Sequence, residues 1–238
     1  MKMKAITFSF DDAVEQDKRL IEIFDRYGLK CTFNINSGMM GMDTCHDAML
    51  FGEMRTFRNH RIPRDEIKEV YKNHEVAAHS VDHPILPLLE DDAEVIRQMR
   101  DDARALEEIT GQRINGFAYP GGYYEYYNER VKKLISTNTD LYYGRTAKSS
   151  YSFDLPTDLM AFHPTVSHRE IEVRDKLLED FLTREASEPQ IFYIWGHSYE
   201  LDVDEKIWNQ FERFCEKIAG REDIFYGTND QVFKYFLR

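Results

Sequence analysis

Three short stretches carry residues able to do chemistry. Asp11-Asp12 closes the mostly apolar run Ala5-Ile6-Thr7-Phe8-Ser9-Phe10. Adjacent carboxylates repel, and a desolvated pair ionises together only when something positive holds it. A metal ion or a catalytic partner supplies such a charge; the plainer alternative is an Asp that caps the following helix. His79-Ser80-Val81-Asp82-His83 offers two imidazoles. Pro84 and Pro87 oppose a helix running on from there, which puts His79 at a strand tip and His83 on the next turn. Two imidazoles and one carboxylate with open positions suit a catalytic divalent metal; zinc is the default, and Co, Ni, Mn or Fe fit the same donors. No Glu stands between the histidines, so a metalloprotease helix is disfavoured. In Ile194-Trp195-Gly196-His197 a neutral strand delivers a histidine, either a general acid or a buried imidazole satisfied by the backbone.

The elements that must position these residues follow from periodicity. Strands are predicted over 5–10, 31–35, 75–78, 114–119, 141–143, 159–162, 190–195 and 224–226. Helices are predicted between them: one around Leu20, Ile23, Phe24 and Tyr27 closed by Gly28, then 63–72, 90–109, 128–137, 174–186, 204–219 and a last one capped near Thr228. Such alternation implies a parallel sheet covered by helices. About seven parallel strands in a single domain over 1–238 suggest a distorted α/β fold, a (β/α) barrel, with an open doubly wound sheet as the competitor. Residues 37–62 show no clean period and read as an irregular insertion, either an excursion over the barrel mouth or a plain surface addition. In both folds active sites gather at the C-terminal strand ends. Those ends carry Asp11 and Asp12, His79, the Pro120-Gly121-Gly122 turn, Arg145 and His197.

Bulk composition narrows the partners. The net charge of −12 argues against nucleic acid and against an anionic membrane. The run after Met1-Lys2-Met3-Lys4 is too soon interrupted for a signal peptide's apolar region, so a cytoplasmic location is expected. The three cysteines are widely spaced and form no CxxC pair, which suggests neither a disulfide framework nor a thiolate zinc site. Oligomeric state is not readable.

Taken in order, these pieces resemble the polysaccharide deacetylase family, also called the NodB-homology or carbohydrate esterase family 4 domain, over residues 4 to about 233. Ser9-Phe10-Asp11-Asp12-Ala13 stands for its first motif and His79-Ser80-Val81-Asp82-His83 for its second. Ala118-Tyr119-Pro120-Gly121-Gly122 stands for its third, and Ile194-Trp195-Gly196-His197 for its last. The resemblance implies a divalent metal on Asp12, His79 and His83, Asp11 as general base and His197 as general acid. It also implies an oxyanion site after Pro120, at the N–H of Gly121. The expected substrate is an N-acetylated carbohydrate or a small acetamide. Alternatives are an amidohydrolase for a non-sugar amide or ureide, and an inactive carbohydrate-binding relative. Tyr119, Tyr123, Tyr124, Tyr126 and Tyr127 form either a sugar-stacking wall or a wet loop surface. The departures are specific. The third-motif arginine is Ala118, with Arg145 as its possible substitute, and Ala13 replaces a glycine. The acid that orients the catalytic histidine is not recognisable; Asp154, Asp158 and Asp140 are its candidates.

Overall fold

The computed structural model describes residues 2–121 and 126–237. Strand β1 (Lys4–Asp11) sets the architecture, because its two faces differ in kind. Ile6, Phe8 and Phe10 point outward into the main apolar cluster, against Leu20, Ile23 and Phe24 of α1 (Gln16–Tyr27). On the other face Thr7 Oγ1 donates to Asn229 Oδ1 (2.9 Å) and Ser9 Oγ accepts from Asn34 Nδ2 (2.8 Å). The period-two alternation therefore separates an apolar shell under the helices from an interior that is polar from Thr7 onward and apolar around Ala5, where Tyr143, Phe162, Ile191 and Tyr193 pack. That interior also holds Glu75, which accepts from Tyr143 Oη (2.7 Å) and Thr32 Oγ1 (2.8 Å).

The sheet contains β2 (Cys31–Ile35), β5 (Glu75–Ala78), β6 (Gly116–Ala118), β7 (Tyr143–Arg145), β8 (Val166–Ser167) and β9 (Gln190–Gly196). Its order is β7-β6-β5-β2-β1-β9-β8, all parallel, and β10 (Ile224–Tyr226) pairs with the first half of β1. Seven parallel strands curl into a distorted (β/α) barrel, as expected from the sequence. The seam between β7 and β8 is bridged by a single stretch of chain. Phe162 N donates to Gly144 O (2.7 Å), and three residues later Thr165 N donates to Tyr193 O (2.9 Å). The strand expected at 159–162 is instead a 3-10 turn, Leu159–Ala161. Asp158 accepts from Met160 N there, a local bond that competes with extended pairing.

The outer layer comprises α1, α2 (Arg64–Val70), α3 (Asp92–Thr110), α4 (Glu129–Asn138), α5 (Ile171–Thr183) and α6 (Glu205–Ile218), whereas α7 (Asn229–Leu237) closes one end of the interior, with Val232 and Phe233 packed on Ala5, Tyr143, Ile191 and Tyr193. Among the described residues no helix is long and apolar enough to cross a membrane.

The stretch 37–62, which has no period in the sequence, folds as an antiparallel hairpin of β3 (Asp43–Leu50) and β4 (Glu53–His60). Its turn residues Phe51 and Gly52 have φ of 51° and 82°, the sense that a two-residue hairpin loop requires. Most hairpin residues are exposed; those buried on one face, Leu50 and Phe57 beside Val14 and Tyr199, and Asn59 near the base, mix apolar and polar types and so blur the alternation in the sequence. The hairpin is tied to the barrel: Val14 pairs with Arg61, Glu15 N donates to His60 O (3.0 Å), and Ile62 N donates to Ala13 O (2.7 Å).

Candidate active site

The chain leaves the strands of interest by strained turns. Asp12 and Ala13, just past β1, have φ of 90° and 51°; Ser80 and His83, past β5, have 64° and 58°. Left-handed conformations at non-glycine residues cost of order 1–3 kcal/mol each and persist only where the surroundings over-determine them. Here they aim Asp12, His79 and His83 at one point, with a ligand atom from each lying within 4.8 Å of the others.

The donors are prepared for a cation. His79 Nδ1 contacts the carbonyl of Ala118 (2.8 Å), so as donor it leaves Nε2 facing the cluster. The His79 backbone N–H donates to Asp102 Oδ2 of α3 (2.8 Å). Burial pulls the His79 pKa down to about 4, only partly opposed by Asp11, which keeps the imidazole neutral. The His83 ring stands edge-on to His79, 4.8 Å between centroids. Burial raises the Asp12 pKa, but Arg61 first, then His197, His83 and His79, outweigh it and hold the carboxyl well below the usual range. Asp12 Oδ1 is buried without a hydrogen bond, although Arg61 Nη1 lies 3.0 Å away. Two imidazoles and an under-coordinated carboxylate fit a divalent ion.

Asp11 has a different environment. Arg145 Nη2 donates to both of its oxygens (2.6 Å to Oδ1), and Asn34 Nδ2 donates to Oδ1 (2.7 Å). Arg145, buried under the Trp195 ring at 4.8 Å, is paired with Ala118 across β6 and β7 and gives its guanidinium to the Asp11 carboxylate. Asp11 Oδ2 lies 4.0 Å from His79 Nε2 and 3.8 Å from His197 Nε2.

His197 follows β9 and is held from behind by Glu200, which no sequence motif signalled. Its Nδ1 is 3.3 Å from Glu200 Oε1, while Glu200 Oε2 meets His168 Nε2 at 2.7 Å. Gly196 makes that pair possible: a Cβ there would come within 1.8 Å of His168 Cδ2. Burial opposes charging His197, but Glu200 first and then Asp12 and Asp11 outweigh it and raise its pKa to about 8. The three aspartates weighed for this task lie elsewhere. Asp140 pairs with Arg113, Asp158 with Lys132, and Asp154 bonds Ser152. A Glu three residues after the histidine was the available signal.

These groups line one cleft of about 630 Å³, together with Tyr119, Gly121 and Trp195. Pro120 is buried and Gly121 has φ of 77°. Thr44, Cys45, His46 and Ala48 of the hairpin form a further wall. The Tyr119 hydroxyl donates to Met160 O (2.8 Å), and its ring stacks on Tyr127 at 5.0 Å, so Tyr127 backs the wall rather than facing the cleft. Tyr123 and Tyr124 lie outside the described residues.

Comparison with solved structures places the fold. A polysaccharide deacetylase candidate from Mycobacterium smegmatis matches with a TM-score of 0.69 at 14% identity, over 99% of this chain and 91% of that one. A family 4 carbohydrate esterase from Streptomyces lividans, solved with acetate, matches with a TM-score of 0.58 at 14% identity, over 95% and 93%. A polysaccharide deacetylase from Bacillus cereus matches with a TM-score of 0.50 at 16% identity over 65% of this chain, which spans only 44% of that protein. At these identities the likeness concerns the fold. No curated protein sequence matches significantly. The family model for polysaccharide deacetylases matches residues 1–139, more than half of the chain and both the Asp11-Asp12 and His79–His83 motifs, so the chain belongs to the polysaccharide deacetylase family.

Proposed function

We propose that this protein is a metal-dependent hydrolase that removes the acetyl group from an N-acetylated sugar or polysaccharide. The observation that carries the reading is the meeting of two sets in one cleft. Asp12, His79 and His83 converge within 4.8 Å, while Asp11 Oδ2 and His197 Nε2 stand 3.8 Å apart beside them. Asp12, His79 and His83 would hold a divalent ion, zinc before Co, Ni, Mn or Fe, whose chemistry when bound is to polarise a carbonyl and acidify water. Asp11 takes the proton of the attacking water at Oδ2, the oxygen that faces the two histidines. Arg145 and Asn34 hold that carboxylate in place by hydrogen bonds. His197 donates through Nε2 to the departing amine, since Glu200 occupies its other side. The N–H of Gly121 is the donor proposed for the developing oxyanion.

The hairpin wall of Thr44, Cys45, His46 and Ala48 favours the end of a chain or a single amino sugar over an internal residue of a long polymer. The test is acetate release from N-acetylglucosamine, its oligomers and small non-sugar amides, after metal analysis of the purified protein. A stoichiometric divalent ion that Asp12→Ala or His79→Ala removes, with acetate released from an amino sugar, is expected. Asp11→Asn should keep the ion and slow turnover about 10²–10⁴-fold. A protein that binds no divalent ion, or that cleaves only non-sugar amides, would overturn the proposal.

A further inference from the structure

The hairpin does more than wall the cleft. Its base delivers Arg61, a buried cation that no motif of the chain announces. Arg61 Nη1 donates to the backbone carbonyl of Asp12 and to Asn36 Oδ1 (3.2 Å), and lies 3.0 Å from Asp12 Oδ1. Asn36 in turn donates to the carbonyls of His79 and of Ser80, the latter at 3.0 Å. One nitrogen thus ties the turn after β1 to the turn after β5. Both turns carry left-handed residues: Asp12 and Ala13 in the first, Ser80 and His83 in the second. Ile62 N, next to Arg61, donates to the carbonyl of Ala13 (2.7 Å) and completes the clamp.

We propose that Arg61 is a positioning residue for the metal site. It holds Asp12 in its strained conformation and, through Asn36, fixes the spacing between Asp12 and the His79–His83 turn. The inference rests on the metal reading above and adds that the hairpin is part of the site's construction. Arg61 engages the backbone and Oδ1 of Asp12. Oδ2 lies 3.9 Å from His197 Nε2. A cation beside a metal ligand also repels an incoming ion, so two effects of opposite sign compete. The clamp prevails here because Arg61 holds both strained turns at once, and losing a group that orients a metal ligand costs about 10–100-fold in affinity.

The experiment titrates Zn²⁺ and Co²⁺ into the metal-free protein by calorimetry. Wild type is compared with Arg61→Gln, Arg61→Lys and Arg58→Gln, a change at an exposed position on the same strand. Arg61→Gln should weaken binding about 10–100-fold. Arg61→Lys keeps the charge but is too short to reach all three acceptors; it should restore part of the loss, and it keeps the question answerable if the Gln variant does not fold. Arg58→Gln should bind as wild type does. Wild-type or tighter binding by a folded Arg61 variant overturns the proposal and leaves the metal site standing. No binding by the wild type overturns the metal reading and this inference with it.

Discussion

The pair Asp11–Arg145 lends itself to a quantitative test. Its side chains are 4% and 1% exposed, and Arg145 gives hydrogen bonds to both carboxylate oxygens. Removing one partner of such a pair strands a charge in a medium that cannot solvate it, at a cost of about 3–5 kcal/mol. Arg145→Met keeps most of the volume and should therefore lose about that much stability. In a chain of 238 residues each kcal/mol moves Tm by roughly 2–4 °C, which makes the fall about 6–20 °C. Asp11→Asn strands Arg145 in the same way. The double variant removes both charges, and replacing a whole buried pair is often close to neutral. Two single losses of about 3–5 kcal/mol each with a near-neutral double variant imply a coupling energy of about 6–10 kcal/mol, above the usual 0.5–3 kcal/mol range, and urea unfolding of the four proteins reads it. Acetate release by Arg145→Met should fall about 100-fold, because Asp11 keeps only its Asn34 bond and small displacements of a reacting group cost that much. A loss below about 1 kcal/mol, or single effects that simply add, would refute the argument that each charge is buried for the sake of the other.

Three further outcomes follow from the same structure. Gly196→Ala should cost about 1–3 kcal/mol by overpacking, since the new methyl meets His168 at 1.8 Å and drives it off Glu200; thermal unfolding reads the cost, and acetate release should fall with it. Burial raises the Asp17 pKa to about 7, against hydrogen bonds from Ser198 and Tyr71 that lower it. The folded state then keeps a proton that the unfolded chain releases from about pH 4 upward, so this group's contribution is fully present below about pH 4 and is lost as pH rises toward 7. Asp17→Asn should flatten the slope of urea midpoints between pH 5 and pH 7, and an unchanged slope would remove Asp17 as its source. Chelation should lower Tm and excess Zn²⁺ should restore it, by about 2.7 kcal/mol of stability at 100 times Kd; a Tm indifferent to metal in differential scanning fluorimetry would count against the Asp12–His79–His83 site.

What the sequence revealed and what it hid divide along a physical line. Features written in consecutive residues were legible. The parallel barrel followed from alternating elements; strand-end position gathered the two aspartates and the two histidines, and the family resemblance singled out Asp12, His79 and His83, which do lie together. Features that depend on register or on tertiary reach were not. Glu200 sits only three residues beyond His197, yet its task emerges from the 3-10 turn that folds it back under the ring. Arg61 follows a hairpin strand whose buried positions, Phe57 and Asn59, differ in type, so no apolar alternation marks it. The strand at Val166–Ser167 is two residues long and has no period to detect.

The relation between Ala118 and Arg145 shows how a site can outlast its motif. In the sheet these two residues are direct partners across β6 and β7. Partners at one level of a parallel sheet project from the same face, so an arginine moved from one strand to its neighbour still reaches the same point. Ala118 keeps the backbone half of the arrangement, its carbonyl bonded to His79 Nδ1, while Arg145 supplies the guanidinium to Asp11. The second carboxylate has an arginine of its own, since Arg61 stands at Asp12. Two adjacent buried carboxylates repel one another. Here each has a guanidinium of its own, one brought by β7 and one by the base of the hairpin. Under the proposed function that division leaves Asp12 to the metal and Asp11 to the water.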